Sequence, residues 1–249
     1  NSDDIDVLMW VGCAGSFDSR NQKVARATAQ LYKTAGIKFA ILGSEEKCTG
    51  DLARRSGNEM LFQMLAGENV ETLNNYKIKK IVTACPHCLN SIKNEYPQLG
   101  GDYEVFHHSQ FIDKLVDEGR LPLGSNFKKT VTYHDSCYLG RYNNEYKAPR
   151  NIIRKVSKKP MKEMEHYGKE SFCCGAGGAR MWMEEKIGTR INETRAQEAI
   201  DTGVSTVATA CPFCMTMVSD GITAKGKDDE IKTKDVAEIV LESLEDTNT

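Results

Sequence analysis

The chain has 249 residues, 40% hydrophobic and 27% charged, enough to bury one large core or two ordinary ones, and nothing in it reads as disordered. A formal net charge of −2, with Lys and Arg scattered rather than striped, argues against nucleic acid or an anionic membrane as a partner. No apolar run approaches the ~20 residues that span a bilayer and no basic-then-apolar leader opens the chain, so the expected location is cytoplasmic, held to the inner face of a membrane at most through a partner or a further domain.

In chain order, β-branched and apolar runs predict strands over 5–10, 37–42 and 78–84, then over 130–134, a weak 161–165, and 204–210. Helical spacing covers 21–35, where Val24, Ala27 and Leu31 share one face, then 50–67, 109–118, 148–156, 178–202 and 234–244. Pro122, Gly124 and Asn126 mark 119–128 as a connection, which divides the chain into halves 1–125 and 126–249. Alternating strand and helix implies parallel pairing. The expected fold class is therefore α/β: two pseudo-repeated lobes of parallel strands flanked by helices, with cysteines at the C-terminal ends of strands, where such sheets bind ligands.

Nine cysteines, an odd number without a secretion signal, fit thiols that bind something better than a disulfide framework. All nine fall in a duplicated pattern. Cys13, Cys48, Cys85 and Cys88 recur as Cys137, Cys173, Cys211 and Cys214, and Gly50 recurs as Gly175, at offsets of 124 to 126 residues. Thr83-Ala84-Cys85-Pro86-His87-Cys88 repeats as Thr209-Ala210-Cys211-Pro212-Phe213-Cys214, so the chain is an internal duplication.

A thiol between a strand end and a helix start lies beside unpaired backbone N–H groups and the positive end of the helix dipole, which lower its pKa. Pro86 and Pro212 suit the first helical turn, so each Cys-Pro-x-Cys presents two sulfurs from one turn. Gly50, Gly175, Gly177 and Gly178 would let the backbone approach a bulky anionic group and donate N–H bonds to it. Soft thiolates suit iron–sulfur clusters, zinc or cuprous ion. The second motif brings five sulfurs, Cys137, Cys173, Cys174, Cys211 and Cys214, from three distant segments, whereas structural zinc takes four, commonly from two short knuckles.

On these residues the chain resembles the cysteine-rich CCG family of heterodisulfide reductase subunits B and D and related iron–sulfur oxidoreductases, over essentially its whole length. The resemblance implies a noncubane [4Fe-4S] cluster on the five cysteines of the second motif, where the chemistry would take place. Tyr133-His134-Asp135, the run Cys137 to Arg141 and the run Phe172 to Gly178 resemble the branch that holds the D-type heterodisulfide reductase polypeptides and the membrane-linked oxidoreductases serving electron-transfer flavoprotein and menaquinone. The function so implied is a redox subunit that passes electrons to a disulfide or thiol substrate, or between a flavoprotein and a quinone-linked partner. The chain lacks the ferredoxin run Cys-x-x-Cys-x-x-Cys-x-x-x-Cys, so its expected partners are other redox subunits or domains: ferredoxin-like, flavoprotein or membrane quinone-linked.

The first motif departs from the family. Cys48-Thr49-Gly50 stands where Cys-Cys-Gly is expected, which leaves Cys13, Cys48, Cys85 and Cys88 for a second iron–sulfur cluster, a cubane or a modified noncubane. His134 and Arg141 are read as residues beside the second cluster, Arg141 offsetting its charge. His87, inside the first Cys-Pro-x-Cys, is weighed with His134 for a supporting or proton-donor role, and His107-His108 is read as a helix start. Met181, Trp182 and Met183 are expected in the core, and the Lys-rich run 155–162 on a solvated surface. Two rival readings are a zinc-stabilised scaffold and a thioredoxin-like dithiol.

Overall fold

Val7, Leu8, Met9 and Trp10 are all buried, the pattern of a strand covered on both faces, and they form β1 (Val7–Trp10). The structure, a computed structural model, describes residues 4–124, 127–157 and 159–244. The first lobe continues through α1 (Gly12–Phe17), α2 (Ser19–Thr34), β2 (Phe39–Ala40), α3 (Asp51–Arg55), α4 (Glu59–Asn75), β3 (Lys80–Thr83), α5 (Pro86–Asn90), β4 (Glu104–His107) and α6 (His108–Asp117). The second lobe comprises β5 (Val131–Tyr133), α7 (Cys137–Gly140), α8 (Lys147–Val156), α9 (Ile191–Asp201), β6 (Thr206–Thr209), α10 (Pro212–Ala224), β7 (Lys232–Asp235) and α11 (Val236–Ser243). Two parallel sheets result, ordered β2-β1-β3-β4 and β5-β6-β7. The α/β duplication expected from the sequence is present; the boundary placed at 125 lies outside the described residues.

Several expectations need correction. The weak strand over 161–165 supplies a single parallel bridge, Thr132 to Lys162, at the edge that β2 occupies in the first lobe. Strands β4 and β7 had no sequence signal, because four residues alternating charged and buried are too short to show a period, and β7 takes the start of the helix expected over 234–244. The helix expected over 50–67 breaks at Gly57 (φ 90°) and resumes as α4 with Asn58 as its cap, running on to Asn75. Of the helix expected over 178–202, only Ile191–Asp201 forms; ahead of it are left-handed Gly178 and Gly188 and a single 3-10 turn. Trp182 (60% exposed) and Met183 (50%) are accordingly not core residues. Lys155 is not simply solvated but pairs with Asp113 and Asp117.

One apolar core spans both lobes, and a second, smaller one lies within the second lobe around Cys174, Cys211 and Cys214. Helix α11 packs on α2 of the first lobe and α6 on α8 of the second, and a continuous apolar cluster runs from Val7 to Val240. Where β4 meets α6, His107 caps the helix; at the equivalent place, Asp235 caps α11. His108 Nε2 meets Asp235 Oδ1 at 2.7 Å, both buried, and Arg20 forks onto Glu238 at 2.7 Å. His107 Nε2 donates to the carbonyl of Ala84, the residue before Cys85, so the lobe junction touches the site directly.

Burial and the neighbouring His108 hold the His107 pKa well below the ordinary histidine value. Its protonation then favours the unfolded chain, so its contribution is complete above the unfolded value of ~6.5 and is lost as pH falls. As pH falls from about 6 to 5 this residue should remove stability, on the order of 1 kcal/mol per pH unit at most. His107→Asn, which keeps a capping acceptor, should flatten that part of the slope in urea denaturation; an unaltered slope would show that His107 is not the responsible group.

Candidate functional site

Each cysteine is placed by an element boundary. Cys85 and Cys211 are the N-caps of α5 and α10, one residue beyond the last strand-end neighbours Ala84 and Ala210, with Pro86 and Pro212 in the first turn. Cys88 and Cys214 follow one turn on. Cys13 lies in α1 just beyond β1, and Cys137 opens α7. Cys48 and Cys173 come from loops that turn at left-handed Gly50 (φ 83°) and Gly175 (φ 87°), whose N–H groups point back to Cys48 Sγ at 3.5 Å and Cys173 Sγ at 3.3 Å.

In the second motif the thiols form an unbroken chain of hydrogen-bonding contacts: Cys137 to Cys173, Cys173 to Cys174, Cys174 to Cys214, and Cys214 to Cys211. In the first, Cys13 meets Cys48 and Cys85 meets Cys88. Thr49 Oγ1 donates to Cys88 Sγ at 3.8 Å, the place that the Cys174 thiol takes toward Cys214. The thiols share protons unequally. Hydrogen bonds from Cys13 and the Gly50 N–H bring Cys48 down to about 6, and bonds from Cys137 and Cys174 bring Cys173 lower still. Burial pushes Cys211 up, but the Cys214 thiol, the His87 charge and the α10 N–H groups outweigh it and leave it at about 6. Their partners Cys13, Cys137, Cys174 and Cys214 are pushed up, mainly by contact with those sulfurs and then by burial. Each motif thus carries at least one thiol already disposed to ionise, as ligation of a soft metal requires.

Around the sulfurs, a ring nitrogen of buried His134 lies within 4.8 Å of Cys174 Sγ and Cys214 Sγ, and its Nδ1 accepts from Arg195 Nε at 2.9 Å. Burial, then Arg195, takes the His134 pKa down to about 3, so the ring is neutral. Arg141 donates to the carbonyls of Lys169 and Ser171, tying α7 to the loop that delivers Cys173. Gly177 and Gly178 line a cleft over the first motif rather than the second. His87 stacks on Tyr138 of the other lobe at 3.9 Å, meets Phe213 edge-on, and pairs with Asp51 at 2.8 Å.

The cleft runs between the first-motif sulfurs and the second-lobe wall of Ala176, Met181, Trp182 and Phe213, and is mostly apolar. Trp10 is among the residues that line it, and its buried Nε1–H has no hydrogen-bond partner. A Cβ on Gly12 would stand 3.5 Å from Cys88 Sγ, so the backbone there is close to the sulfurs. Glu46, whose carboxylate accepts from the N–H groups of Val11 (3.0 Å) and Gly12 (2.6 Å), is raised by burial to about 7. The converging thiols, the turned glycines and the orphaned indole fit a bulky sulfide-bearing group. Sequence reasoning did not find Trp10, Glu46, Gly12 or Arg195. Trp10 was discoverable, since it stands three residues before Cys13 as His134 stands before Cys137; the others carry no local signal.

Two parallel lobes with cysteine groups at their strand ends define a duplicated cysteine-rich domain. Residues 7–93 and 131–219 match the model of the cysteine-rich (CCG) domain, and the chain belongs to that family. It is 46% identical, over 97% of its length and 34% of the relative's, to the Bacillus subtilis protein named "Probable iron-sulfur-binding oxidoreductase FadF". It is 44% identical to the EtfAB:quinone oxidoreductase of Syntrophomonas wolfei, over 97% of this chain and 35% of that one. To a polypeptide of the dihydromethanophenazine:CoB--CoM heterodisulfide reductase of Methanosarcina barkeri it is 33% identical, over 97% and 60% of the two chains. The chain therefore spans about a third of the length of the two bacterial relatives.

The left-handed turn at Gly50 is testable without any cofactor. A Cβ there would lie 2.9 Å from Phe62 Cδ2 and 3.2 Å from the Phe62 backbone, in addition to the ~1–2 kcal/mol that an L side chain costs in this conformation. Gly50→Ala should lower stability by at least ~2 kcal/mol, read as an earlier urea midpoint, and should displace Cys48; a midpoint within error of the parent would mean that the turn relaxes freely.

Proposed function

We propose that this chain is the electron-transferring portion of a larger iron–sulfur oxidoreductase. Cys137, Cys173, Cys174, Cys211 and Cys214 would hold a noncubane [4Fe-4S] cluster. Cys13, Cys48, Cys85 and Cys88 would hold a second iron–sulfur cluster. The observation that carries this reading is the unbroken contact of five thiols in one lobe, matched in the other by four thiols and the Thr49 hydroxyl. Bound iron–sulfur groups would supply one-electron reduction and oxidation.

The residues divide the remaining work. Cys48, Cys173 and Cys211 offer the sulfurs that ionise most readily. Gly50 and Gly175 donate N–H bonds to sulfur, and Phe213, Trp182 and Met181 exclude water from the cleft. Cys13 and Cys48 are exposed, which suits electron entry at the first motif, whereas Cys174, Cys211 and Cys214 are buried. Exchange between a flavoprotein and a quinone-linked partner is preferred to reduction of a charged disulfide. The name of the Syntrophomonas relative supports this choice.

Protein isolated without oxygen should contain iron and acid-labile sulfide in comparable amounts and should be reduced by an electron-transfer flavoprotein. Stoichiometric zinc without iron would overturn the assignment in favour of a scaffold. Thr49→Cys supplies the missing sulfur where the Thr49 hydroxyl now lies 3.8 Å from Cys88 Sγ, so the electron paramagnetic resonance of the first site should shift toward that of the second. Spectra and iron content that do not change would remove position 49 from the first site.

A further inference from the structure

The two motifs match sulfur for sulfur, yet the residue three places before each leading cysteine differs: Trp10 before Cys13, His134 before Cys137. Both are 1% exposed, one ending β1 and the other immediately following β5. Both carry a ring nitrogen at the same point of the repeat: His134 lies beside sulfurs of the second motif, and Trp10 is among the residues lining the cleft over the first. Trp10 Nε1 stands alone, whereas His134 is backed by a fully buried arginine.

Arg195 is held from several sides. Its Nη1 donates to the His166 carbonyl at 2.8 Å and to the Glu198 carboxylate, and its Nη2 to Ser171 Oγ at 3.3 Å. Its Nε–H is aimed at His134 Nδ1. A guanidinium only donates, so Nδ1 must be the bare nitrogen of a neutral ring and the proton must sit on Nε2. The tautomer is thereby decided by Arg195, and the imidazole is pinned beside Cys174 and Cys214.

Resting on the iron–sulfur reading, we infer that Arg195 is a positioning residue that fixes His134 as the Nε2–H tautomer, that this N–H donates to a sulfur at the second motif, and that the pair raises the reduction potential there. A hydrogen bond to sulfur lowers the cost of adding an electron; the Arg195 charge itself is paired with Glu198, so the N–H carries the effect. The first motif has no arginine-backed histidine: Glu46, raised by burial to about 7, lies against the N-terminus of α1, and Asp51 is paired with Arg55 and His87. Asp135, the acid nearest His134, is neutralised by the two-pronged contact from Arg150 at 2.6 and 2.7 Å. The second motif is thus built as the higher-potential of two otherwise similar sites.

The test is a reductive titration of the anaerobically isolated full chain, followed by electron paramagnetic resonance, with ¹⁵N-histidine labelling to detect nitrogen coupled to the second-site signal. His134→Phe, which keeps a flat ring but no N–H, should lower the second-site potential by about tenfold in its reduction equilibrium, ~59 mV for one electron. The first-site potential should stay where it is. His134→Gln, whose amide can accept from Arg195 and donate onward, should recover at least half of the shift. A parent protein without a coupled histidine nitrogen overturns the inference with no variant needed, as does an unmoved second-site potential in a variant with full iron content. A parent protein that contains no iron would instead defeat the underlying reading.

Discussion

Parallel strand pairing is the constraint on which the rest of the molecule depends. Because β1 and β3 run side by side in the same direction, Cys13 and Cys85 emerge at one edge of the sheet, and β5 with β6 does the same for Cys137 and Cys211. An antiparallel neighbour would deliver its cysteine to the far edge, some four residues or ~13 Å away. The same edge collects helix N-termini, so the sulfurs gather where backbone N–H groups are unpaired. The two edges face one another because each lobe's last helix packs on the other lobe, α6 on α8 and α11 on α2. The cofactor sites and the lobe junction are consequently one construction, with His107 beneath Ala84 and His87 sandwiched between Asp51 and Tyr138.

Electrostatics then make the duplicated sites unequal. Carboxylates adjoin the first: Glu46 at the start of α1, and Asp51 shared among Arg55, His87 and the Cys48 turn. The second has a buried arginine, itself paired with Glu198, behind a neutral histidine, and Asp135 beside that histidine is taken up by Arg150. Burying Arg195 is costly unless its donors and charge are met, and its bonds to His134, His166, Ser171 and Glu198 use four of its five N–H donors and pair its charge. Thr49 adds a chemical difference to the electrostatic one: it puts a hydroxyl where the other lobe has a fifth sulfur, while Asn69 and Tyr96 hold the backbone of that turn.

The duplication, the α/β class and the nine sulfurs were determined by the sequence alone. Strand-end cysteines, the Cys-Pro turn and the glycine after Cys48 or Cys173 are local features, governed by short-range sterics that need no knowledge of the fold. Tertiary structure alone decided what stands behind and between them. Arg195 is separated from His134 by 61 positions and His108 from Asp235 by 127, and nothing in the spacing links either pair. Strands β4 and β7 exist because a neighbouring strand offers its open edge, not because Glu104–His107 or Lys232–Asp235 favour extension. The segment before α9, apolar at Met181, Trp182 and Met183, leaves the core because left-handed glycines break the helix that would have buried it, and the fold sets it over the first motif as a wall. Local chemistry is written in neighbours along the chain; the unequal surroundings of the two motifs arise only when the lobes close on one another, since burial and long-range charge have no counterpart in one dimension.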